Sequence, residues 1–243
     1  MAKVSVIVPG AGAGKRFGGK ANKIFQRLGP GGQAVFIRTL EAFTGRDDVC
    51  QIQLVVAEAD MDELKRRFGG NLGFMGVKVV PGGPTRTESV RNALAGVADE
   101  AELICVHDAV RPCVAQPWID AVFAEAEKTG AAILAIPVRG TLKKVADGGA
   151  IDETVSRADL WEAQTPQVFR KDLLQAAYAS GRTATDDAAL VEAAGHAVHV
   201  VAGDPRNIKI TTPADLSFAA AVIRTLPKPK EKRPFHPFQE AQW

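Results

Sequence analysis

A chain of 243 residues with 46% hydrophobic and 24% charged residues is too long for a small stapled scaffold and too apolar to be disordered throughout. Thirty basic against 28 acidic residues leave a net charge of +2, and the excess sits in the tail, where Lys228, Lys230, Lys232 and Arg233 outnumber Glu231 and Glu240. A neutral body argues against a nucleic-acid coat or a membrane-surface binder, and no apolar run approaches the roughly 18 residues of a membrane span.

In chain order, Lys3–Pro9 reads as the first buried strand; it is too short for a signal-peptide core. Gln51–Ala57, Val77–Val80, Glu102–Val106 and Ala131–Pro137 read as further strands. Ala34–Phe43, Asp60–Phe68, Arg86–Ala95 and Trp118–Lys128 carry apolar residues at helical spacing between them. Alternation of this kind predicts an α/β fold with a mostly parallel central sheet and helices on both faces. Gly140–Ser156 reads as a polar two-strand arm, about 138–158, with Gly148-Gly149 at its tip. Lys171–Ser180, Asp186–Ala194, Val198–Ala202 and Pro213–Leu226 complete the pattern. A single domain over 1–226 is expected, followed by a poorly ordered, proline-containing tail at 227–243. Cys50, Cys105 and Cys113 are odd in number and lack Cys-x-x-Cys spacing. A disulfide framework and a zinc site are therefore unexpected, in keeping with a cytoplasmic location.

Ligands of open parallel sheets gather at the carboxyl ends of the strands, and the chemistry-bearing residues follow the strands. After the first come Gly10, Ala11, Gly12, Ala13 and Gly14, whose backbone N–H groups suit an anion, with Lys15, Arg16, Lys20 and Lys23 as charge. A dinucleotide Gly-x-Gly-x-x-Gly fails here, because Lys15 or Phe17 takes the third glycine position. The Walker spacing fails at Ala21, where a magnesium-binding hydroxyl belongs. A nucleotidyltransferase loop clasping a triphosphate remains, with a flexible turn of solvated charges as the plain alternative. After the third strand, Gly82 and Gly83 would let a flat base approach, with Ser89 in reach; Thr85 and Glu88 equally form a helix capping box. After the fourth, Asp108 and Arg111 suit metal, hydroxyl or phosphate, while His107 reads as a packed strand-end histidine and Cys105 and Cys113 as small buried fillers.

The motifs taken together resemble the 2-C-methyl-D-erythritol 4-phosphate cytidylyltransferases of the non-mevalonate isoprenoid pathway. The resemblance runs from Val6 to about Leu216. It rests on Pro-x-Ala-Gly-x-Gly-x-Arg at 9–16, Gly-Gly-x-x-Arg-x-x-Ser-Val at 82–90, His-Asp-Ala-x-Arg-Pro at 107–112 and Pro-Val-Arg-x-Thr at 137–141. Thr-Pro-Gln at 165–167, Thr-Asp at 185–186 and Asn-Ile-Lys-x-Thr at 207–211 complete it. The chain departs from the family pattern at Gly10, at Asn22-Lys23-Ile24 (usually Pro-Lys-Gln), at Pro84 and at Gly140.

The resemblance implies a Rossmann-like nucleotidyltransferase fold and attack of a polyol-phosphate oxygen on the α-phosphorus of CTP, with loss of pyrophosphate. Arg16 and Lys23 would stabilise the transition state and Lys209 would hold phosphates. Ala11, Gly12, Ala13, Gly14, Lys15, Gly82, Gly83, Ser89 and Ala109 would bind the nucleotide. Asp108, Arg111, Thr141, Arg157, Thr165, Thr185 and Thr211 would serve the acceptor. Mg2+ would be held mainly by phosphates, with Asp108 a candidate ligand, and a homodimer would form through the β-arm. The alternatives are a cytidylyltransferase acting on ribitol 5-phosphate, a nucleotide-binding module without turnover, and a dinucleotide oxidoreductase, the last opposed by the glycine spacing.

Overall fold

The computed structural model describes residues 1–12, 22–29 and 31–228. Its strands are β1 (Val4–Pro9), β2 (Val49–Val56), β3 (Val77–Pro81), β4 (Leu103–Val106), β5 (Ala131–Pro137), β6 (Leu142–Val145), β7 (Ile151–Val155), β8 (Trp161–Arg170) and β9 (His199–Ala202). Its helices are α1 (Val35–Glu41), α2 (Met61–Phe74), α3 (Arg86–Leu94), α4 (Gln116–Thr129), α5 (Lys171–Ala179), α6 (Asp187–Ala193) and α7 (Pro213–Val222). Seven strands form one sheet in the order β3-β2-β1-β4-β8-β5-β9, parallel except for β8, which runs antiparallel to both β4 and β5. This is the expected α/β architecture, a mostly parallel sheet with helices on both faces.

The apolar run of β1 follows from burial on both faces. Val4, Val6 and Val8 enter one hydrophobic cluster, shared with α1, α2, α4 and α7, whereas Ile7 enters the other, shared with α3, α5 and α6. A strand covered on both sides has no face on which to place alternating polar residues. Cys105 and Cys113 are buried free thiols, as expected of small fillers, and burial pushes the Cys113 thiol up to about 12.

The starts of α3, α6 and α7 are fixed by side chains that accept orphan N–H groups. Thr85 Oγ1 accepts from Glu88 N at 3.1 Å and Glu88 Oε2 from Thr85 N at 3.0 Å, the expected capping box. Asp186 does the same for α6 through Ala189 N at 3.0 Å. α2 runs to Phe74, beyond the predicted Phe68, across Gly69 and Gly70; burial of Leu72 offsets a propensity cost of ~1 kcal/mol per glycine.

The arm is present where expected. β6 and β7 pair antiparallel as a separate two-stranded sheet. Gly148 and Gly149 turn its tip at φ of 93° and 87°, which side chains with a Cβ resist. One element went unpredicted. Trp161–Arg170, which carries the Thr-Pro-Gln motif and is assigned no element from the sequence, forms β8, the strand inserted between β4 and β5. Pro166 within it signals a break to a sequence reader, whereas the ladder tolerates it because pairing with β5 lapses around that position. Phe169 of β8 is fully buried. Phe169→Ala should lower the unfolding free energy by about 3–5 kcal/mol, read as a fall in urea midpoint.

Candidate active site

Hydrogen bonding continues past the strand ends and fuses three loops into one rim. Gly10 N donates to Val55 O at 2.7 Å, Gly82 N to Val56 O at 2.7 Å, His107 N to Ile7 O at 2.9 Å and Ala109 N to Pro9 O at 3.2 Å. Gly82 is required by the contact between loops: a Cβ there would lie 2.5 Å from that of Ala11. Ser89 Oγ accepts from Gly83 N at 3.1 Å and donates to Thr85 O at 2.8 Å, holding the second glycine turn against α3.

The rim encloses a cavity of about 190 Å3 lined by Ala11, Gly12, Lys23, Arg86, Asp108 and Lys209, among others. Lys23 arrives on a short 3-10 turn, Lys23–Phe25, capped by Asn22. Asn22 also donates to Asp60 Oδ2 at 2.7 Å, tying that turn to the segment after β2. Lys209 arrives from the segment after β9.

Asp108 is the electrostatic centre. Its carboxylate faces Lys209 Nζ at 2.8 Å, Arg86 Nε at 3.4 Å and Arg111 Nε at 3.5 Å. Burial alone would raise its pKa; Arg86, Lys209 and Arg111 outweigh that and hold it well below the usual carboxylate range. Arg86 shows the same balance with the sign reversed. Burial would lower its pKa, but Asp187 and Asp108 hold it above the ordinary value. For Arg111 burial prevails, and its guanidinium is pulled below its ordinary value despite Asp108. Arg111 Nη1 is anchored by donating to Asn207 O at 2.7 Å.

Behind Asp108 the protonation pattern is fixed by geometry. His107 Nε2 lies 3.1 Å from Arg111 O, which can only accept, so this nitrogen carries the proton. Burial pulls the His107 pKa down to about 4, so the ring is neutral and Nδ1 must accept. Thr165 Oγ1, 3.1 Å away, therefore donates to it, and itself accepts from Asp108 N at 3.1 Å. The antiparallel register of β8, with Gln167 opposite Val106, is what brings Thr165 to this place.

The structure gathers Ala11, Gly12, Lys23, Gly83, Ser89, Asp108 and Lys209 around the cavity, with Arg111 and Thr165 in contact with Asp108. Gly82 stands behind Ala11, and Ala109 is fully buried behind Gly10, supporting the loop without lining the cavity. Thr141 and Arg157 lie exposed on the arm, where Arg157 Nη1 donates to Arg139 O. Thr185 is exposed just before the cap of α6, and Thr211 Oγ1 donates to Asp215 Oδ2 at 2.8 Å; neither lines the cavity. Ala13, Gly14, Lys15 and Arg16 fall outside the described residues, as does the tail from 229 onward.

Sequence reasoning missed Arg86 and Asp187. Arg86 stands inside a quoted motif but drew no role. Its signal was available: a cation at the first residue of a helix opposes the helix dipole, so a specific anionic partner had to hold it.

The model of the IspD family, 2-C-methyl-D-erythritol 4-phosphate cytidylyltransferase, matches residues 4–225. The chain belongs to this family. A 2-C-methyl-D-erythritol 4-phosphate cytidylyltransferase of Rhodopirellula baltica is 43% identical over 235 residues, covering 91% of this chain and 95% of that one. One of Bacillus licheniformis is 40% identical over 237 residues, covering 95% and 98%. The crystal structure of the Thermus thermophilus enzyme aligns with a TM-score of 0.75 at 33% identity, over 91% of this chain and 99% of that one.

Membership in the cytidylyltransferase family sets what a metal must find here. Among the described residues no three His, Cys, Asp or Glu side chains form a metal cage, and Asp108 is the carboxylate that lines the cavity. One carboxylate fits Mg2+, which keeps its waters and is commonly held by one or two carboxylates together with substrate phosphates.

The His107 environment generates a pH prediction. Its folded pKa, about 4, lies below the ordinary value of 6.5, so the unfolded chain binds more protons between these values and stability rises with pH across them. The contribution is fully present above about pH 6.5 and is lost as pH falls toward 4. Urea midpoints between pH 4 and 7 should show that slope, and His107→Gln should flatten it.

Proposed function

We propose that this cavity joins CTP to 2-C-methyl-D-erythritol 4-phosphate, giving 4-diphosphocytidyl-2-C-methyl-D-erythritol and pyrophosphate, as the family name implies. The carrying observation is that Lys23 and Lys209, from opposite ends of the chain, line one cavity beside glycine turns. Convergence of cations on a backbone cradle is what a triphosphate requires. An oxygen of the phosphate monoester forms the new bond to the α-phosphorus, and the bond to the β-phosphate bridging oxygen breaks, its electrons leaving with pyrophosphate. The attacking oxygen is anionic near neutral pH, so no protein nucleophile or general base is needed. The chain contributes position and charge.

Lys23, with Arg16 from the segment outside the described residues, neutralises the charge that builds on the five-coordinate phosphorus. Lys209 holds phosphate oxygens, released to them from Asp108. Backbone N–H groups of Ala11 and Gly12 would meet the triphosphate, as would those of Ala13, Gly14 and Lys15 from outside the described residues, and the Gly82-Gly83 turn with Ser89 would accept the base. Asp108, the carboxylate on the cavity lining, would help hold a magnesium ion together with the substrate phosphates, and the ion would supply charge neutralisation.

The arm supports a homodimer. Thr141 and Arg157 do not line their own chain's cavity, and Val145, Ile151, Leu160 and Trp161 on or beside the arm are exposed hydrophobic side chains. An arm reaching a second copy would cover these and bring Thr141 and Arg157 to that copy's acceptor phosphate. We read 1–226 as one domain carrying both the cavity and the arm. The buried free thiols suit a reducing, cytoplasmic compartment, and among the described residues no helix is long and apolar enough to cross a membrane. The family match and the named relatives favour methylerythritol phosphate over ribitol 5-phosphate as acceptor.

Lys23→Ala should lower kcat by at least about tenfold, since one lost transition-state donor costs ~10²–10³ in precedent; turnover within about threefold of wild type would refute the role. Arg157→Ala should raise KM for the polyol phosphate while leaving KM for CTP unchanged, measured by pyrophosphate release.

A further inference from the structure

Arg86 is held more closely by a residue outside the cavity than by the one inside it. Its Nη2 lies 2.7 Å from Asp187 Oδ2, whereas its Nε lies 3.4 Å from Asp108 Oδ1. Asp187, the first residue of α6, is fully buried and does not line the cavity. Tyr178 of α5, also buried, donates its hydroxyl to Asp187 Oδ1 in a short hydrogen bond. The N–H groups of Asp187 and Ala188 both donate to Gln167 Oε1 of β8 at 3.1 Å. Tyr178 of α5 thus holds the carboxylate itself, Gln167 of β8 holds the backbone that carries it, and the carboxylate takes Nη2 of the Arg86 guanidinium.

The consequence for Asp108 follows from the geometry of the guanidinium. A planar fork with no other anion would close on the nearest carboxylate through two parallel bonds. Asp108 would then turn toward Arg86 and lose its 2.8 Å contact with Lys209 Nζ, which is made by Oδ2. With Nη2 occupied by Asp187, only Nε reaches Asp108, and at the longer distance. Lys209 keeps the closer hold.

We propose that Asp187 and Tyr178 are positioning residues for cytidylyl transfer: they hold back Arg86, and through the orientation of Asp108 they set the resting place of the Lys209 ammonium. The proposal rests on the reading of this cavity as the transfer site. Neither residue touches the reactants; both act through Arg86.

Tyr178→Phe tests it, because the ring remains and one donor to Asp187 is lost. Misplacement of a reacting or binding group by an ångström costs up to ~100-fold, so kcat with CTP and methylerythritol phosphate should fall about tenfold, with KM for CTP changed less than about threefold. In an Arg86→Gln background the same substitution should cost less than about twofold, since the effect passes through the guanidinium. Turnover of Tyr178→Phe within about twofold of wild type, or an equal loss in both backgrounds, overturns the proposal. Asp187→Asn, which keeps the residue's size and its backbone bond to Gln167, carries the same cycle should Tyr178→Phe not fold. Wild-type turnover in the same assay separates the claims. Its absence overturns the assigned reaction, and the proposal with it; its presence with additive variants overturns the proposal alone.

Discussion

An ionised carboxylate taken out of water costs several kcal/mol unless cations and hydrogen-bond donors replace its hydration. Asp108 is such a carboxylate, and its neighbours are disposed around that requirement. Lys209, Arg86 and Arg111 face its two oxygens, and its own N–H is taken by Thr165. The three cations come from the segment after β9, the start of α3 and the turn after β4, so one buried charge draws together segments far apart in the chain. In a cytidylyltransferase the same gathering has a use beyond stability. Under the function proposed above, a Lys209 ammonium already in place needs little reorganisation when phosphate oxygens replace the carboxylate as its counter-charge.

The scaffold that permits this is a sheet whose ladder does not stop at the strand ends. Backbone bonds from Gly10, Gly82, His107 and Ala109 extend the pairing into the loops, so the loops inherit the rigidity of β1 to β4. Close approach of Gly82 to Ala11 locks two of them together. Beneath, neutral His107 links Arg111 O to Thr165, joining β4 to β8 through side chains as well as through the ladder. A site whose work is placement and charge gains from such stiffness, because transition-state complementarity is lost over fractions of an ångström.

The arm is organised on a different principle. β6 and β7 pair only with each other among the described strands, and their side chains are mostly exposed. A lone two-stranded hairpin is marginal in water, and this one displays Val145 and Ile151 without covering them. The second copy proposed above would cover these side chains and so stabilise the arm.

Much of this was legible from residue order. The apolar runs of β1 and β5, the helical spacing of α3 and α4 and the Gly148-Gly149 tip give the layers and the arm, because burial on two faces, burial on one stripe and positive φ each leave a local signature. The glycine turns, Lys23 and Asp108 were legible as charges and flexible backbone placed after strands, whereas Lys209 drew its role only from the joint order of motifs that pointed to the family. Three features belong to the tertiary structure alone. β8 carries a proline and alternates poorly, and only its pairing between β4 and β5 makes it a strand. Thr165 meets Asp108 because of antiparallel register, which no local pattern encodes. Arg86 and Asp187 find one another because the fold brings the first turns of α3 and α6 together, and an ion pair across so many residues leaves no trace in spacing. Sequence by itself determined which residue types could bind a triphosphate; the fold decided which cations share one carboxylate, since only packing sets distances between segments remote in the chain.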